Sequence, residues 1–161
     1  MSTRALWTCS ACGRSFRRSG QAHGCGRGTK AQLLHGKAPF LIKLFAAVDR
    51  DLAKWGPQGT LFRERYALFR TTRGFADLVF MRGGLRLALY LDRKVAATCF
   101  FKVGRTSANR VIHVAMLRSQ SDWRRVRPYL KEAYDLTARE DASRRTGACP
   151  APKGKSHQRA G

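Results

Sequence analysis

The sequence predicts an α+β fold in which a small antiparallel sheet packs against two or more helices. Two observations support this expectation. Residues 38–138 carry nearly all of the periodic apolar pattern, as runs typical of strands bracketed by helical runs. Glycine-rich turns separate some of the strand-like runs, which favours antiparallel pairing between neighbours. A cysteine-rich segment with few aliphatic residues precedes this body.

Composition divides the 161 residues into three regions. Residues 139–161 contain no aliphatic side chain larger than Ala. Because such a segment cannot bury enough apolar surface to offset the entropy of ordering, we expect a flexible basic tail there. The boundaries that we predict are 1–30 for the head, 36–138 for the α+β domain and 139–161 for the tail.

The body begins with a predicted helix. Pro39 is typical of a first helical turn, and Gly56 followed by Pro57 ends the helical pattern. Between these positions, apolar side chains recur at helical spacing: Phe40, Leu41, Leu44, Phe45, Val48, Leu52 and Trp55. We therefore expect one amphipathic helix that covers the sheet.

Strand-like runs follow the helix. They lie near residues 60–70, 74–81, 84–92, 98–103 and 109–117. The third run alternates leucines with Arg86, Ala88 and Tyr90, and Gly83 and Gly84 before it are typical of a hairpin turn. We expect the leucine face to pack against the helices and the face with Arg86 and Tyr90 to meet solvent or a ligand.

A last helical run begins at Ser121 and Asp122. Its apolar positions are Trp123, Val126, Leu130 and Tyr134. Because proline lacks the backbone N–H that a helix interior requires, we expect Pro128 to split this run. The prediction is a short turn followed by a helix from 128 to about 138.

The head contains four residues of the types that bind zinc. Cys9 and Cys12 are separated by two residues, His23 and Cys25 by one, and ten residues lie between the pairs. Zinc takes four nitrogen or sulfur ligands in a tetrahedron. Because side chains at i and i+2 of an extended chain point the same way, both members of the second pair can face one ion. The sequence therefore predicts a structural zinc ion on these four head residues, so that a zinc knuckle precedes the α+β body.

The head departs from a two-Cys, two-His finger in its second half. Such a finger has about twelve residues between its pairs and two histidines on one helix. Two alternatives to a zinc knuckle are a set of reduced thiols without metal and a redox pair at Cys9 and Cys12. The redox pair requires a βαβ context, which does not surround these residues. Five cysteines, an odd number, argue against a disulfide framework.

Charge is the most unusual property of the whole chain. Lys and Arg total 32 against 10 Asp and Glu, a formal net charge of +22, and no acidic residue precedes Asp49. Such an excess favours polyanionic partners, nucleic acid before anionic membrane. We expect DNA or RNA to be bound through phosphates by basic residues of the head: Arg14, Arg17, Arg18, Arg27 and Lys30. The alternative is an α+β module that binds a small molecule or a protein, with incidental charge.

Other residues are weaker candidates. A second basic group falls on the last helix: Arg124, Arg125, Arg127 and Lys131. Asp77 with Asp92 and Lys94 has some likeness to the carboxylates and lysine of metal-dependent nucleases, which gives a third hypothesis. His113 stands in the middle of a strand, where a lone histidine is usually structural. We predict no catalytic residues, and the enzyme question stays open, with a non-enzyme favoured.

The head motif and several later residues resemble an uncharacterised bacterial family, domain of unknown function number 5655. Matching head residues are Trp7, Cys9, Cys12, Gly13, Arg14, Phe16, Gln21, His23 and Cys25. Matching body residues are Gly56, Pro57, Phe75, Ala76, His113, Glu132, Ala133 and Tyr134. The resemblance covers residues 5–137. It implies a related fold and a bound metal and supplies no activity.

The N-terminus gives an expectation about location. It lacks an apolar signal region, and no apolar run in the chain approaches the roughly 20 residues needed to span a bilayer. We therefore expect a cytoplasmic protein with no membrane span.

Overall fold

A six-stranded antiparallel sheet with helices packed on one face forms the body of the protein, which confirms the predicted α+β class. The structure is a computed structural model that describes residues 7, 8, 10, 15, 16, 18–21 and 28–145. The elements in chain order are β1 (Trp7–Thr8), β2 (Ser15–Phe16), α1 (Lys30–Leu34), α2 (Pro39–Trp55), β3 (Gly59–Phe62), β4 (Tyr66–Arg70), β5 (Gly74–Met81), β6 (Gly84–Leu91), β7 (Phe100–Ser107), β8 (Arg110–Leu117) and α3 (Gln120–Arg145).

The strands of the sheet follow the order β3-β4-β5-β6-β8-β7, and each neighbouring pair is antiparallel. The predicted hairpin between β5 and β6 is present, but its turn residues are Arg82 and Gly83, because Gly84 pairs with Met81 and begins β6. Gly84 has to be small, because a Cβ there would lie 2.7 Å from the carbonyl oxygen of Leu117. This close approach packs the start of β6 against the end of β8.

The core lies between the helices and the leucine face of β6. The four leucines at positions 85, 87, 89 and 91 are fully buried. They meet the apolar side of α2, whose buried residues are Leu41, Leu44, Phe45, Val48 and Leu52. The predicted first helix of the body is therefore confirmed. Phe40 is an exception to its apolar pattern, since 48% of its surface is exposed.

The last helix is continuous, so the predicted split at Pro128 was wrong. α3 runs from Gln120 to Arg145 with Pro128 inside it. A capping box opens the helix: Ser119 Oγ accepts from the N–H of Asp122 at 3.2 Å, and Asp122 Oδ2 accepts from the N–H of Ser119 at 3.1 Å. Pro128 lies on the exposed side, so the buried side that packs on the sheet is unbroken.

The same helix extends past the predicted start of the tail. Residues 139–145 are helical, and two of them contact β8 and the turn between β4 and β5. Glu140 pairs with Arg110 at 2.6 Å, and Asp141 Oδ2 accepts from the N–H of Thr72 at 2.9 Å. These polar contacts account for the longer helix in a segment that lacks aliphatic residues. Residues 146–161 lie outside the described residues.

Smaller differences concern element boundaries. The run near 60–70 forms two strands, β3 and β4, rather than one, and β7 extends to Ser107. α1 was not predicted; a capping box between Thr29 and Gln32 begins it, and its Leu33 is fully buried in the core. No helix in the described part of the chain has both the length and the hydrophobicity to cross a bilayer.

Candidate functional site

The face of the sheet opposite α2 and α3, here called the open face, carries the residues that strand alternation placed away from the core. One row crosses all six strands: Leu61, Leu68, Asp77, Ala88, Val114 and Lys102. The next row contains Tyr66, Val79, Arg86 and Met116. Arg86 and Tyr90 thus lie on the non-helical face, as the alternation in β6 predicted.

A polar cluster occupies the middle of the open face. Arg86 Nη2 lies 3.7 Å from Asp77 Oδ1, and the Tyr90 hydroxyl donates to Asp77 Oδ2 at 3.4 Å. Burial raises the pKa of the Asp77 carboxyl, while the Arg86 charge and the Tyr90 hydroxyl oppose that shift. Burial also raises the pKa of Tyr90, and the neighbouring Asp77 charge adds to the effect. The Asp77 carboxylate is thus held by Arg86 and Tyr90, whereas the buried Nε of Arg86 has no hydrogen-bond partner among the described residues.

Large apolar and aromatic side chains are exposed around this cluster. Tyr66 is 39% exposed at the start of β4, and Met81 is 44% exposed at the end of β5. Phe101 is the most exposed of the large hydrophobic residues described, at 62%. An exposed aromatic ring offers a surface on which a nucleic-acid base can stack.

Three arginines stand at one end of the sheet and are here called the basic rim: Arg65, Arg82 and Arg118. Arg65 precedes β4, and its carbonyl accepts from the N–H of Phe80 on β5 at 3.3 Å. Arg82 lies in the turn between β5 and β6. Arg118 follows β8 and lies beside Gly84, since its Cγ is 3.3 Å from the place of a Cβ there. All three are exposed, and none forms an ion pair with another described residue.

Most of the predicted site residues of the head cannot be compared with the structure. Those outside the described residues are Cys9, Cys12, His23, Cys25, Arg14, Arg17 and Arg27. Arg18 is described and exposed. Lys30 pairs with Asp49 and its Nζ lies 5.7 Å from the centre of the Phe45 ring. The Lys30 charge therefore has an acidic partner within the fold.

The second basic group, on α3, is largely neutralised by carboxylates. Arg125 pairs with Asp122 at 2.7 Å, Arg127 with Asp51 at 3.1 Å, and Lys131 with Asp135. Arg124 is the member without an ion pair among the described residues. This group therefore offers less free positive charge than its sequence indicates.

The structure does not bring the nuclease-like residues together. Asp77 is opposite Ala88, which is four positions before Asp92, or about 13 Å along the strand. Two carboxylates this far apart cannot share one Mg²⁺ ion, whose bonds to oxygen are about 2.1 Å long. Arg93 instead binds both oxygens of Glu132, each at 2.9 Å. No group of three metal-binding side chains occurs within the described part of the chain.

A histidine and a cysteine, residue types that are often catalytic or metal-binding, make only structural contacts with other described residues. His113 is fully buried and bonds through both ring nitrogens to the backbone of Val95 and Val111. Cys99 packs against the core, and burial raises the pKa of its thiol, which keeps it protonated and weakly nucleophilic.

Sequence reasoning missed the basic rim. Its three arginines are far apart in the chain, and each is next to a turn or a strand end, where basic residues are common. They become neighbours only through the pairing order and register of the strands. The arginine at a glycine-containing turn, Arg82, was the one available signal.

A family model described as "Domain of unknown function (DUF5655)" matches residues 30–137. The match runs from the start of α1 into α3 and so contains the sheet, the polar cluster and the basic rim. The cysteine–histidine head lies outside it. Comparison with curated proteins and with solved structures gave no match.

Proposed function

The chain belongs to the family described as "Domain of unknown function (DUF5655)", a description that states no activity, and we propose that it binds nucleic acid through phosphates. The proposed binding has little sequence preference. The basic rim is the observation that carries this proposal. Its three arginines are exposed, lie at the same end of the sheet and form no ion pair with another described residue.

The arrangement of charge across the protein supports this proposal. Seven of the ten acidic residues are engaged in ion pairs within the described residues. The acidic residues therefore neutralise particular basic neighbours, and basic residues still outnumber acidic residues by 22. A surplus of this size attracts a polyanion and releases the counterions condensed on it.

The spacing of the rim fits a phosphate backbone. Arg65, Arg82 and Arg118 lie at the ends of strands β4 to β8, and three strand spacings of about 4.8 Å give a span of about 14 Å. Arginine binds phosphate with paired N–H donors, so such a row can hold consecutive phosphates. Because the rim is made of turns and strand ends, it is suited to contact the backbone rather than to enter a groove and read base edges.

A test of the rim compares two variants with the same loss of charge. The first is Arg65→Gln, Arg82→Gln, Arg118→Gln. The control, Lys43→Gln, Arg50→Gln, Lys94→Gln, changes exposed residues of α2 and of the opposite end of the sheet. We expect the rim variant to bind an oligonucleotide at least about 10-fold more weakly than the control, with a salt slope lower by about 2.

The measurement is fluorescence anisotropy with a labelled oligonucleotide at several salt concentrations. Both variants alter exposed side chains, so their melting temperatures should equal that of the wild type. An equal loss of oligonucleotide affinity in both variants would mean that the net charge of the protein attracts the nucleic acid without a specific site at the rim. Absence of binding by the wild type would instead favour a small-molecule or protein ligand on the open face.

The proposal includes a structural zinc ion on the four head residues. Strands β1 and β2 flank Cys9 and Cys12 in the sequence, and they pair antiparallel with Trp7 opposite Phe16. A hairpin around a Cys-x-x-Cys pair supports a closed metal site, because it holds the chain on both sides of the two thiolates. The ion would stabilise the head and leave the body, with its own core, to fold without it.

The zinc prediction is tested by metal analysis of purified protein. The wild type should carry about one equivalent of zinc, and the double variant Cys9→Ser, Cys12→Ser should carry none. Cys99→Ser serves as the control, because this thiol belongs to the body. Full retention of zinc by the double variant would overturn this assignment.

A further inference from the structure

A cavity of about 390 Å³ opens between the start of β7 and the start of α3. Its lining includes Phe101, Met116, Arg118 and Arg125. Met116 belongs to the open face, where it is opposite Arg86, and Arg118 belongs to the basic rim. The cavity therefore lies at the end of the sheet that carries the rim, beside the start of α3, and Met116 connects it to the open face.

An irregularity in the sheet places Phe101 in the wall of this cavity. The register between β7 and β8 shifts between Phe100 and Lys102, which leaves Phe101 as the extra residue of a bulge. Phe100 is buried against His113 and Tyr129, whereas Phe101 is 62% exposed. Bulges commonly direct a side chain towards a functional position. Contact between an exposed phenylalanine ring and water is unfavourable, so covering the ring with a flat apolar ligand lowers the free energy.

The charge of the cavity is positive. Its acidic residue, Asp122, pairs through Oδ1 with Arg125 at 2.7 Å, and its Oδ2 accepts from the backbone N–H groups of Arg118 and Ser119. The guanidinium group of Arg118 forms no ion pair with a described residue. One positive charge is thus left in the lining of the cavity that also contains Phe101, a combination that suits a flat base joined to a phosphate.

We infer that this cavity takes one nucleotide of a single-stranded nucleic acid, with its base on Phe101 and its phosphate on Arg118. The inference rests on the proposed function and narrows it to single strands. In a duplex both faces of every base except those of the two end pairs are stacked inside the helix, so the ring of Phe101 can reach an internal base only in an unpaired strand. Arg82 and Arg65 then bind phosphates further along the same strand, and the volume of the cavity suits one nucleotide.

The test measures binding of a labelled 12-mer, first single-stranded and then annealed to its complement. The variants are Phe101→Ala, Phe101→Trp and the control Phe40→Ala, which removes another exposed phenylalanine on α2. We expect the wild type to prefer the single strand by at least about 10-fold. Phe101→Ala should weaken single-strand binding by about 5- to 150-fold, the range for loss of one stacked base.

The salt dependence separates stacking from charge. Because the ring is uncharged, Phe101→Ala should leave the salt slope unchanged, whereas Arg118→Gln should lower it by about 0.7. Phe101→Trp should retain binding, and Phe40→Ala should bind as the wild type does. Equal affinity of Phe101→Ala and Phe40→Ala, or equal binding of both oligonucleotide forms by the wild type, would overturn the inference and leave phosphate binding by the rim intact. If the wild type binds neither form at low salt, the proposed function itself fails.

Discussion

His113 is a polar side chain that the core accepts because both of its ring nitrogens have partners. Nε2 accepts from the N–H of Val95 at 3.0 Å, and Nδ1 lies 3.2 Å from the carbonyl oxygen of Val111. This pattern requires the neutral ring with its proton on Nδ1, because a protonated Nε2 could not accept. Burial lowers the pKa of His113, although the bond to the Val111 carbonyl opposes the shift.

The lowered pKa predicts how stability depends on pH. The unfolded chain binds a proton at His113 near pH 6.5, and the folded chain binds it only at lower pH. The contribution of His113 to the free energy of unfolding should therefore be constant above about pH 7 and fall as pH drops below about 6.5. His113→Phe should lose this dependence. At neutral pH it should also lose about 1–3 kcal/mol, because the N–H of Val95 is left without an acceptor.

Urea unfolding of both proteins between pH 5 and pH 8 measures this difference. The carboxylates titrate mainly below this range and are common to both proteins, so they cancel in the comparison. The same pH dependence in the variant and the wild type would show that protonation of His113 is not linked to folding.

At the scale of single residues, strand alternation correctly predicted which face of the sheet each β6 side chain lies on. It did not predict which side chains on different strands contact each other. The leucines of β6 and the opposite positions of Arg86 and Tyr90 follow from the two-residue period of a strand. The contact of Asp77 with Arg86 and Tyr90 depends on which strands pair and in which register. Strand pairing and register could not be predicted from this single sequence, so the polar cluster could not be predicted either.

At the scale of elements, α3 is where local rules were least reliable. The missing N–H of Pro128 removes one helical hydrogen bond, and this local cost predicted a break. Trp123, Val126, Leu130 and Ala133 are buried against the sheet on both sides of the proline. Packing of these residues outweighs the loss of one bond, so the helix continues.

The end of α3 gives a prediction about truncation. Removal of residues after Thr137 deletes Glu140, the partner of Arg110, whose side chain is 11% exposed. It also deletes the acceptor for the N–H of Thr72, which is Asp141. Loss of a hydrogen bond to a charged group costs about 2 kcal/mol, so the melting temperature should fall by about 4–8 °C.

The control is truncation after Arg145, which keeps both contacts. Its melting temperature should equal that of the full-length protein. The point variant Glu140→Gln should reproduce part of the loss, because it removes the charge of the pair and keeps the helix. Calorimetry of the full-length protein and these three variants measures the differences in melting temperature. Equal melting temperatures for the two truncations would mean that the last turns of α3 do not stabilise the body.

At the scale of the whole molecule, the fold class was predictable and the surface site was not. Periods of 3.6 and 2 residues in the apolar pattern specify helices and strands, and burial of their apolar faces specifies two layers. Net charge is also read directly from the sequence and favours a polyanionic partner. The position of the unpaired charge depends on ion pairs and strand order. Carboxylates neutralise most of the basic group on α3, and strand order brings the arginines of the basic rim to one end of the sheet. On the described body, the candidate surface is therefore the rim rather than α3.

The measurement that tests nucleic-acid binding most directly is a titration of a labelled single-stranded oligonucleotide across a range of salt concentrations. With three rim arginines on phosphates, the slope of log affinity against log salt should be about −2 or steeper, at about −0.7 for each contact. A scrambled oligonucleotide of the same composition should bind within about threefold of the original. Failure to bind either oligonucleotide at low salt, or an affinity that does not change with salt, would contradict binding through phosphates.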